Sequence, residues 1–431
     1  MNLTVSADLK SSYYGQRLLH YFSMMSSPRL ETVTSAVEGF SHVLSKQRSL
    51  IPSFIESGVL PSILSFLESN SLELQLAAVR VFINVTAGIC NDLYQPRLLV
   101  NALFKCVQSS SSQLLIYQCI VVLGNIALDS LHMRNLIISL GMTPLLISVL
   151  EKSHSSSTSA STSDCSITNV VWSLSALLVR KPLPKADVIS TLLSSLSLLL
   201  HHKTKAVVIN ALWGLFYISE STDPSHTELL LNSGSLHQLV QLLPTSTDTQ
   251  IPVLRTLCNL LSSSNSALDL LLTFSFLPTL HSLLALDNPT LDCDVLRVVS
   301  NVTAGTSFHV SQCFSSGLMT LVVKKMTSSC PRVQREALWC VANALVSGSY
   351  DHALLLIELG LIPNILNFLK STDEEVLDLV SVSLNNLLLL GENRGESNLI
   401  LEKIIEAYES QSKFQLFKLE PIDLSNVCTI Q

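Results

Sequence analysis

The chain has 431 residues, of which 48% are hydrophobic and only 14% charged, with a formal net charge of −7. Globular proteins usually carry about 25% charged residues, so packing surface dominates this sequence. It holds no run of Lys or Arg, which excludes nucleic acid as the main partner, because phosphate binding needs clustered cations. Ten cysteines (Cys90, Cys106, Cys119, Cys165, Cys258, Cys293, Cys313, Cys330, Cys340 and Cys428) form no Cys-x-x-Cys and no pairing pattern. Several occupy core-facing helical positions, where a thiol behaves as a small hydrophobe, so reduced thiols in an intracellular protein are expected.

Taken in chain order, residues 1–30 form an N-terminal segment in which Met1 to Arg17 lacks the charged start and apolar centre of a signal peptide. Glu31 to Lys46 reads as a shortened opening helix. A helical motif ending in asparagine then recurs: Arg80-Val-Phe-Ile-Asn84, Val121-Val-Leu-Gly-Asn125, Arg255-Thr-Leu-Cys-Asn259, Arg297-Val-Val-Ser-Asn301, Trp339-Cys-Val-Ala-Asn343 and Val382-Ser-Leu-Asn-Asn386. Two further rungs, Trp172-Ser-Leu-Ser-Ala176 and Trp213-Gly-Leu-Phe-Tyr217, keep the frame without the amide. The interval is 41 to 43 residues except for one of 51, which contains a Ser/Thr-rich run at 153–163 that reads as a loop insertion.

Between rungs another phrase recurs, as in Ser57-Gly-Val-Leu-Pro, Leu140-Gly-Met-Thr-Pro, Ser233-Gly-Ser-Leu-His, Ser316-Gly-Leu-Met-Thr and Leu359-Gly-Leu-Ile-Pro. Its glycine marks a tight turn before an apolar helix; in Phe274-Ser-Phe-Leu-Pro it has become Ser275. The most membrane-like stretch, Leu270 to Leu286, aligns with the first two helices of a repeat and contains Pro278 and His281. It is therefore expected in a packed core, and no integral membrane span is expected. An end helix at Asn398 to Ser410 closes the series, and residues 411–431 form a tail.

A polar amide fixed about every 42 residues is what the inner helix of an armadillo-type repeat presents on its concave face. No single repeat buries its own apolar faces, so the expected fold is all-α, an armadillo-repeat right-handed superhelical solenoid of about eight to nine repeats over residues 31–410. An Asn side chain offers both a donor and an acceptor, and can bond a peptide's N–H and C=O together. Asn84, Asn125, Asn259, Asn301, Asn343 and Asn386 are thus the expected backbone clamps for an extended chain. The competing role for any one of them is to cap or bridge neighbouring helices.

From about Glu31 to Ser410, close to nine-tenths of the chain, the sequence resembles importin-α at low identity. The matching segments are Gly124-Asn-Ile-Ala-Leu-Asp129, Leu199-Leu-His-His202, Ala211-Leu-Trp213 with Tyr217, Pro252-Val-Leu-Arg255 with Asn259, Asn301 with Ala304-Gly305, and Arg335-Glu-Ala-Leu-Trp339 with Asn343. The divergent transmembrane and coiled-coil domain-containing protein 6 subfamily is similar too, in Arg80 at its rung and in Leu123-Gly-Asn125.

The resemblance implies an adaptor that takes nuclear-localisation-type peptides, the basic segments of cargo proteins, into the nucleus from the cytoplasm. It also implies that Trp172, Trp213 and Trp339 stack on the stems of cargo lysines. Asp129, Glu220, Asp294 and Glu336 would then meet the ammonium groups, the last two in a C-terminal site expected to be the better preserved. Arg80, Val121 and Arg297 stand where tryptophan is expected, which weakens the stacking. Residues 1–30 hold only Lys10, Arg17 and Arg29 as basic residues, so the segment that would recruit importin-β is not expected, and with it importin-β as a partner is in doubt.

The alternative is an armadillo scaffold for protein–protein interaction with no transport role. No His-Glu-x-x-His, Gly-x-Ser-x-Gly or phosphate loop is found, so neither enzyme activity, metal nor cofactor is expected.

Overall fold

The computed structural model describes residues 12–87, 96–155, 160–263, 265–395 and 397–413. The chain divides into two compact units, Met1–Ser233 and Gly234–Gln431. Among the described residues every regular element is helical. The first unit contains α1 (Tyr13–Met24), α2 (Leu30–Lys46), α3 (Ile51–Glu56), α4 (Leu60–Phe66), α5 (Leu72–Thr86), α6 (Pro96–Ser109) and α7 (Gln113–Asp129). It continues with α8 (Leu131–Ser139), α9 (Met142–Ser155), α10 (Ala160–Val179), α11 (Ala186–Leu199), α12 (Lys205–Ser219) and α13 (Pro224–Asn232). In the second unit are α14 (Ser235–Leu242), α15 (Thr247–Ser263), α16 (Asn265–Leu272), α17 (Phe276–Leu284), α18 (Pro289–Thr303) and α19 (Ser307–Ser315). The last six are α20 (Leu318–Lys325), α21 (Pro331–Ser347), α22 (Tyr350–Glu358), α23 (Leu361–Asn367), α24 (Glu374–Glu392) and α25 (Ser397–Lys413).

The rung motifs all fall on the long helices, and these pack on one another in sequence: α5 between α2 and α7, then α10 between α7 and α12. In the second unit α18 lies between α15 and α21, and α21 is followed by α24. Each unit is an all-α armadillo stack, its rung helices set side by side and its shorter helices packed behind them. Helix starts are locally encoded: the side chains of Ser71, Ser112 and Asp373 each accept a backbone N–H of the first turn of α5, α7 and α24.

The turn between the two short helices of a repeat demands a left-handed residue. Gly234, Gly317 and Gly360 adopt φ of 75°, 76° and 90°, and Ser275 takes the same turn at 53°. Glycine reaches that region without steric cost, whereas serine adopts it under strain. That turn breaks the most apolar stretch of the chain, so that Ser266–Leu272 and Phe276–Leu284 are bent by 83°. Leu271, Phe276, Leu280 and Leu284 are completely buried inside the unit, as expected for a core segment. No single helix among the described residues is long and apolar enough to cross a membrane, although four bent helix pairs reach that length together.

Two expectations change. Within the 153–163 run, residues 153–155 end α9 and residues 160–163 begin α10, so both flanks are helix rather than loop, and 156–159 lie outside the described residues. The opening of the stack also starts earlier than Glu31. Helix α1 packs on α2, with Phe22 5.1 Å from Phe40 and 6.0 Å from Phe54, ring centre to ring centre. Helix α2 is then a full rung, whose Ser41 stands 43 residues before Asn84. Cys106, Cys119, Cys258, Cys293, Cys313, Cys330 and Cys340 are free thiols; Cys90 and Cys428 lie outside the described residues.

Candidate functional site

Three amide groups of the ladder, those of Asn84, Asn301 and Asn343, share an orientation. Asn84 Nδ2 donates to the Ser41 carbonyl and hydroxyl, both at 3.1 Å, and to Arg80 O at 3.0 Å. Asn301 Nδ2 donates to Cys258 O at 2.9 Å, and Asn343 Nδ2 to Ser300 O at 3.1 Å and Ser300 Oγ at 2.9 Å. Asn125 Nδ2 reaches Thr86 Oγ1 at 3.0 Å, while Asn386 Nδ2 turns back to Val382 O of its own helix at 2.9 Å. A carbonyl only accepts, so the NH₂ end must face the preceding rung helix and Oδ1 must face away. Among the described residues no donor reaches Oδ1 of Asn84, Asn301 or Asn343. Each therefore staples two rungs through its donor and keeps its acceptor open, which is half of the two-sided clamp expected from the sequence. Asn259 is half-buried on α15.

The aromatic residues gather in the first unit. Trp172 on α10 and Trp213 on α12, both half-buried, line one cavity of about 360 Å³ with Tyr217, Leu128, Ala176 and Asn210. Trp213 is held edge-to-face by Phe216 at 5.4 Å and lies tilted against Tyr217 at 6.2 Å. Asn210 Nδ2 donates to Thr168 O at 3.3 Å, and Ser175 Oγ donates to Asn210 O at 2.7 Å, so Asn210 ties α12 to α10 at the cavity. A larger cavity of about 590 Å³ is lined by α4 and α6 and touches none of the ladder residues.

Gly124 makes room for Trp172: a Cβ there would lie 2.9 Å from Trp172 Cζ3 and 2.8 Å from Ser173 Oγ. Gly124→Ala is expected to destabilise the first unit by about 1–3 kcal/mol, the usual cost of overpacking, and to displace the Trp172 ring. Thermal unfolding with tryptophan emission measures both; an unchanged midpoint and spectrum would show the ring is not wedged there.

Two carboxylates stand near this cavity in different states. Asp129 ends α7 next to Leu128, half-buried and without an ion pair among the described residues. A carboxylate at a helix C-terminus faces the negative end of the dipole, and the Arg180 guanidinium is close by, its Nε donating to the carbonyl of the preceding Leu128 at 2.5 Å. Glu220, just past α12, already has a cation: Lys181 Nζ lies 3.7 Å away and also donates to Tyr217 O. Burial pulls the Lys181 pKa down, and Glu220 partly offsets it.

The second unit has a different rung chemistry. Arg255 Nε donates to Asp294 Oδ2 at 3.3 Å, and Arg297 Nε donates to Glu336 Oε1 at 2.9 Å with Nη1 3.8 Å from Asp294 Oδ1. Asp294 and Glu336 are buried beneath the two guanidinium groups. Trp339 is half-buried on α21, and Arg297 holds the position at the preceding rung where a second tryptophan would stand.

No family model matches the chain. Importin subunit alpha-1b of Oryza sativa subsp. japonica is 30% identical over 267 residues, which are 60% of this chain and 47% of the relative. Importin subunit alpha-8 of Arabidopsis thaliana is 25% identical over 382 residues, 85% of this chain and 82% of that one. The chain is thus similar to importin-α subunits at low identity. It spans about half the length of the first of these relatives. A crystal structure of an engineered protein from the Northeast Structural Genomics Consortium covers 95% of the chain at a TM-score of 0.77 and 21% identity, and shows the fold alone.

The residues picked out by sequence separate into two groups. Asn125, Asp129, Trp172 and Trp213 stand on the three consecutive rung helices α7, α10 and α12, and of these Trp172 and Trp213 line one cavity. Glu220, Asp294 and Glu336 carry charges already met by Lys181, Arg255 and Arg297, so the C-terminal site expected to be acidic instead turns guanidinium groups outward. Asn210 was missed because it lies three residues before Trp213, outside the rung frame. Its 42-residue distance from Thr168 was the available signal. Ser41 and Ser300, the acceptors for Asn84 and Asn343, were also missed; each stands 43 residues before its asparagine.

Proposed function

We propose that this chain is an importin-α-like adaptor that holds an extended Lys- or Arg-bearing segment of a cargo protein on the rung face of its first unit, for transport between cytoplasm and nucleus. The observation that carries this reading is the Trp172–Trp213 cavity with the unpaired Asp129 close in sequence to its wall. A lysine stem has an apolar body and a charged head. Two indole-lined walls suit the body, and Asp129 gains a partner when the head arrives. The open Oδ1 of Asn84 accepts a backbone N–H of the same segment.

Asp129→Lys tests the reading. Reversing one charge beside a bound ammonium group is expected to weaken a fluorescent Lys/Arg-rich peptide by at least about tenfold, or about 1.4 kcal/mol, in an anisotropy titration. Unchanged affinity would remove Asp129 from the site.

A further inference from the structure

We propose that the rung face of the second unit is an acid-reading surface, on which Arg255 and Arg297 receive the Asp or Glu side chains of an extended acidic segment. Both arginines precede a ladder asparagine by four residues, and their side chains are 44% and 41% exposed. Their counter-ions are not exposed: the side chains of Asp294 and Glu336 retain 5% and 12% of their surface. An incoming ammonium group would have to displace an arginine before reaching either carboxylate. A carboxylate side chain meets the guanidinium directly.

The pairs also leave the right atoms free. A guanidinium carries five N–H donors in a planar fork. Arg255 uses Nε on Asp294, and Arg297 uses Nε on Glu336 with Nη1 near Asp294. Among the described residues no acceptor reaches either Nη of Arg255 or Nη2 of Arg297. Each fork is therefore held along one edge and open along the other, and little side-chain entropy remains to be lost when an anion binds. The two contacts repeat at the same 39-residue separation, so the fork is presented on successive rungs of one face. The open Oδ1 of Asn301 supplies a backbone contact beside the second fork. Because the whole chain carries a net charge of −7, long-range attraction does not favour an acidic peptide, and binding would report this local surface.

The inference shares with the proposed function only the ladder as a backbone clamp, and its test is independent of the tryptophan cavity. The full chain is titrated, at physiological salt, with a fluorescent peptide rich in Asp and Glu. Saturable binding is expected. The variant Arg297→Gln with Glu336→Gln, which removes the pair together and leaves no buried charge alone, should weaken that peptide by tenfold or more and leave a Lys/Arg-rich peptide unaffected. Arg297→Lys, which keeps the charge and loses the fork, should weaken the acidic peptide to a smaller degree. Trp172→Ala with Trp213→Ala should not change it. The proposal is overturned if the acidic peptide shows no saturable binding, if the paired variant binds it as well as the parent chain, or if the tryptophan variant is the one that loses it.

Discussion

Replacing Trp172 and Trp213 together by alanine is expected to weaken a Lys/Arg-rich peptide by between about fivefold and several hundredfold. The estimate follows from two desolvated cation–π contacts at about 0.5–2 kcal/mol each, with every 1.4 kcal/mol worth a factor of ten. Replacing Trp339 and Asn343 is expected to change the same affinity less than threefold, roughly 0.6 kcal/mol. The asymmetry comes from the neighbours. Trp172 and Trp213 share a cavity, whereas the rung before Trp339 carries Arg297, already bonded to Glu336. The two double variants, compared by anisotropy on proteins of equal helical content, decide the order; a larger loss from Trp339 and Asn343 would move the basic site to the second unit.

The largest effect on stability is expected at Lys325. This lysine ends α20 with its side chain 7% exposed, and donates to Asp287 Oδ1 at 2.6 Å and Asp292 Oδ2 at 2.5 Å. Asp292 is 1% exposed, and its other oxygen has no hydrogen-bond partner. Burial pushes the Asp292 carboxyl up in pKa, and the lysine is the main influence opposing it, with a smaller one from a backbone hydrogen bond at Asn288. Lys325→Ala therefore strands a buried carboxylate, with an expected cost of about 3–5 kcal/mol, the range for removing one partner of a buried pair. Adding Asp292→Asn should recover a large part of the loss, because the stranded charge is gone. Urea unfolding of the parent chain, the single variant and the double variant measures both steps. A single-variant loss below about 1 kcal/mol would mean that water reaches Asp292.

The fold was legible because it is written in local, repeated terms. The interval between rung asparagines gave the stacking, and the turn glycines gave the breaks between short helices. Ser275 in a glycine's place still marked the turn that divides the most apolar stretch. The polar contacts were less legible, since each joins residues one repeat apart. Asp294 and Glu336 lie three residues before a rung, so their helix face was readable. That Arg255 and Arg297 reach them depends on how far one rung helix is displaced from the next, which packing sets and sequence spacing alone does not. The same holds for the asparagines: the residue type announced a clamp, and the preceding helix's carbonyl decided which end of each amide stays open. Helix α1 was missed because its buried face, Leu18 and Phe22, is short and lacks the rung motif.

The central claim, that the first unit holds a basic segment between Trp172 and Trp213, is tested most directly by a crystal structure of the chain with a bound Lys/Arg-rich peptide. The expected electron density is an extended peptide across α5, α7, α10 and α12, with one lysine stem between the two indoles and Asn84 Oδ1 accepting a peptide N–H. Peptide density confined to the face of α18 and α21, with the Trp172–Trp213 cavity unchanged, would contradict it.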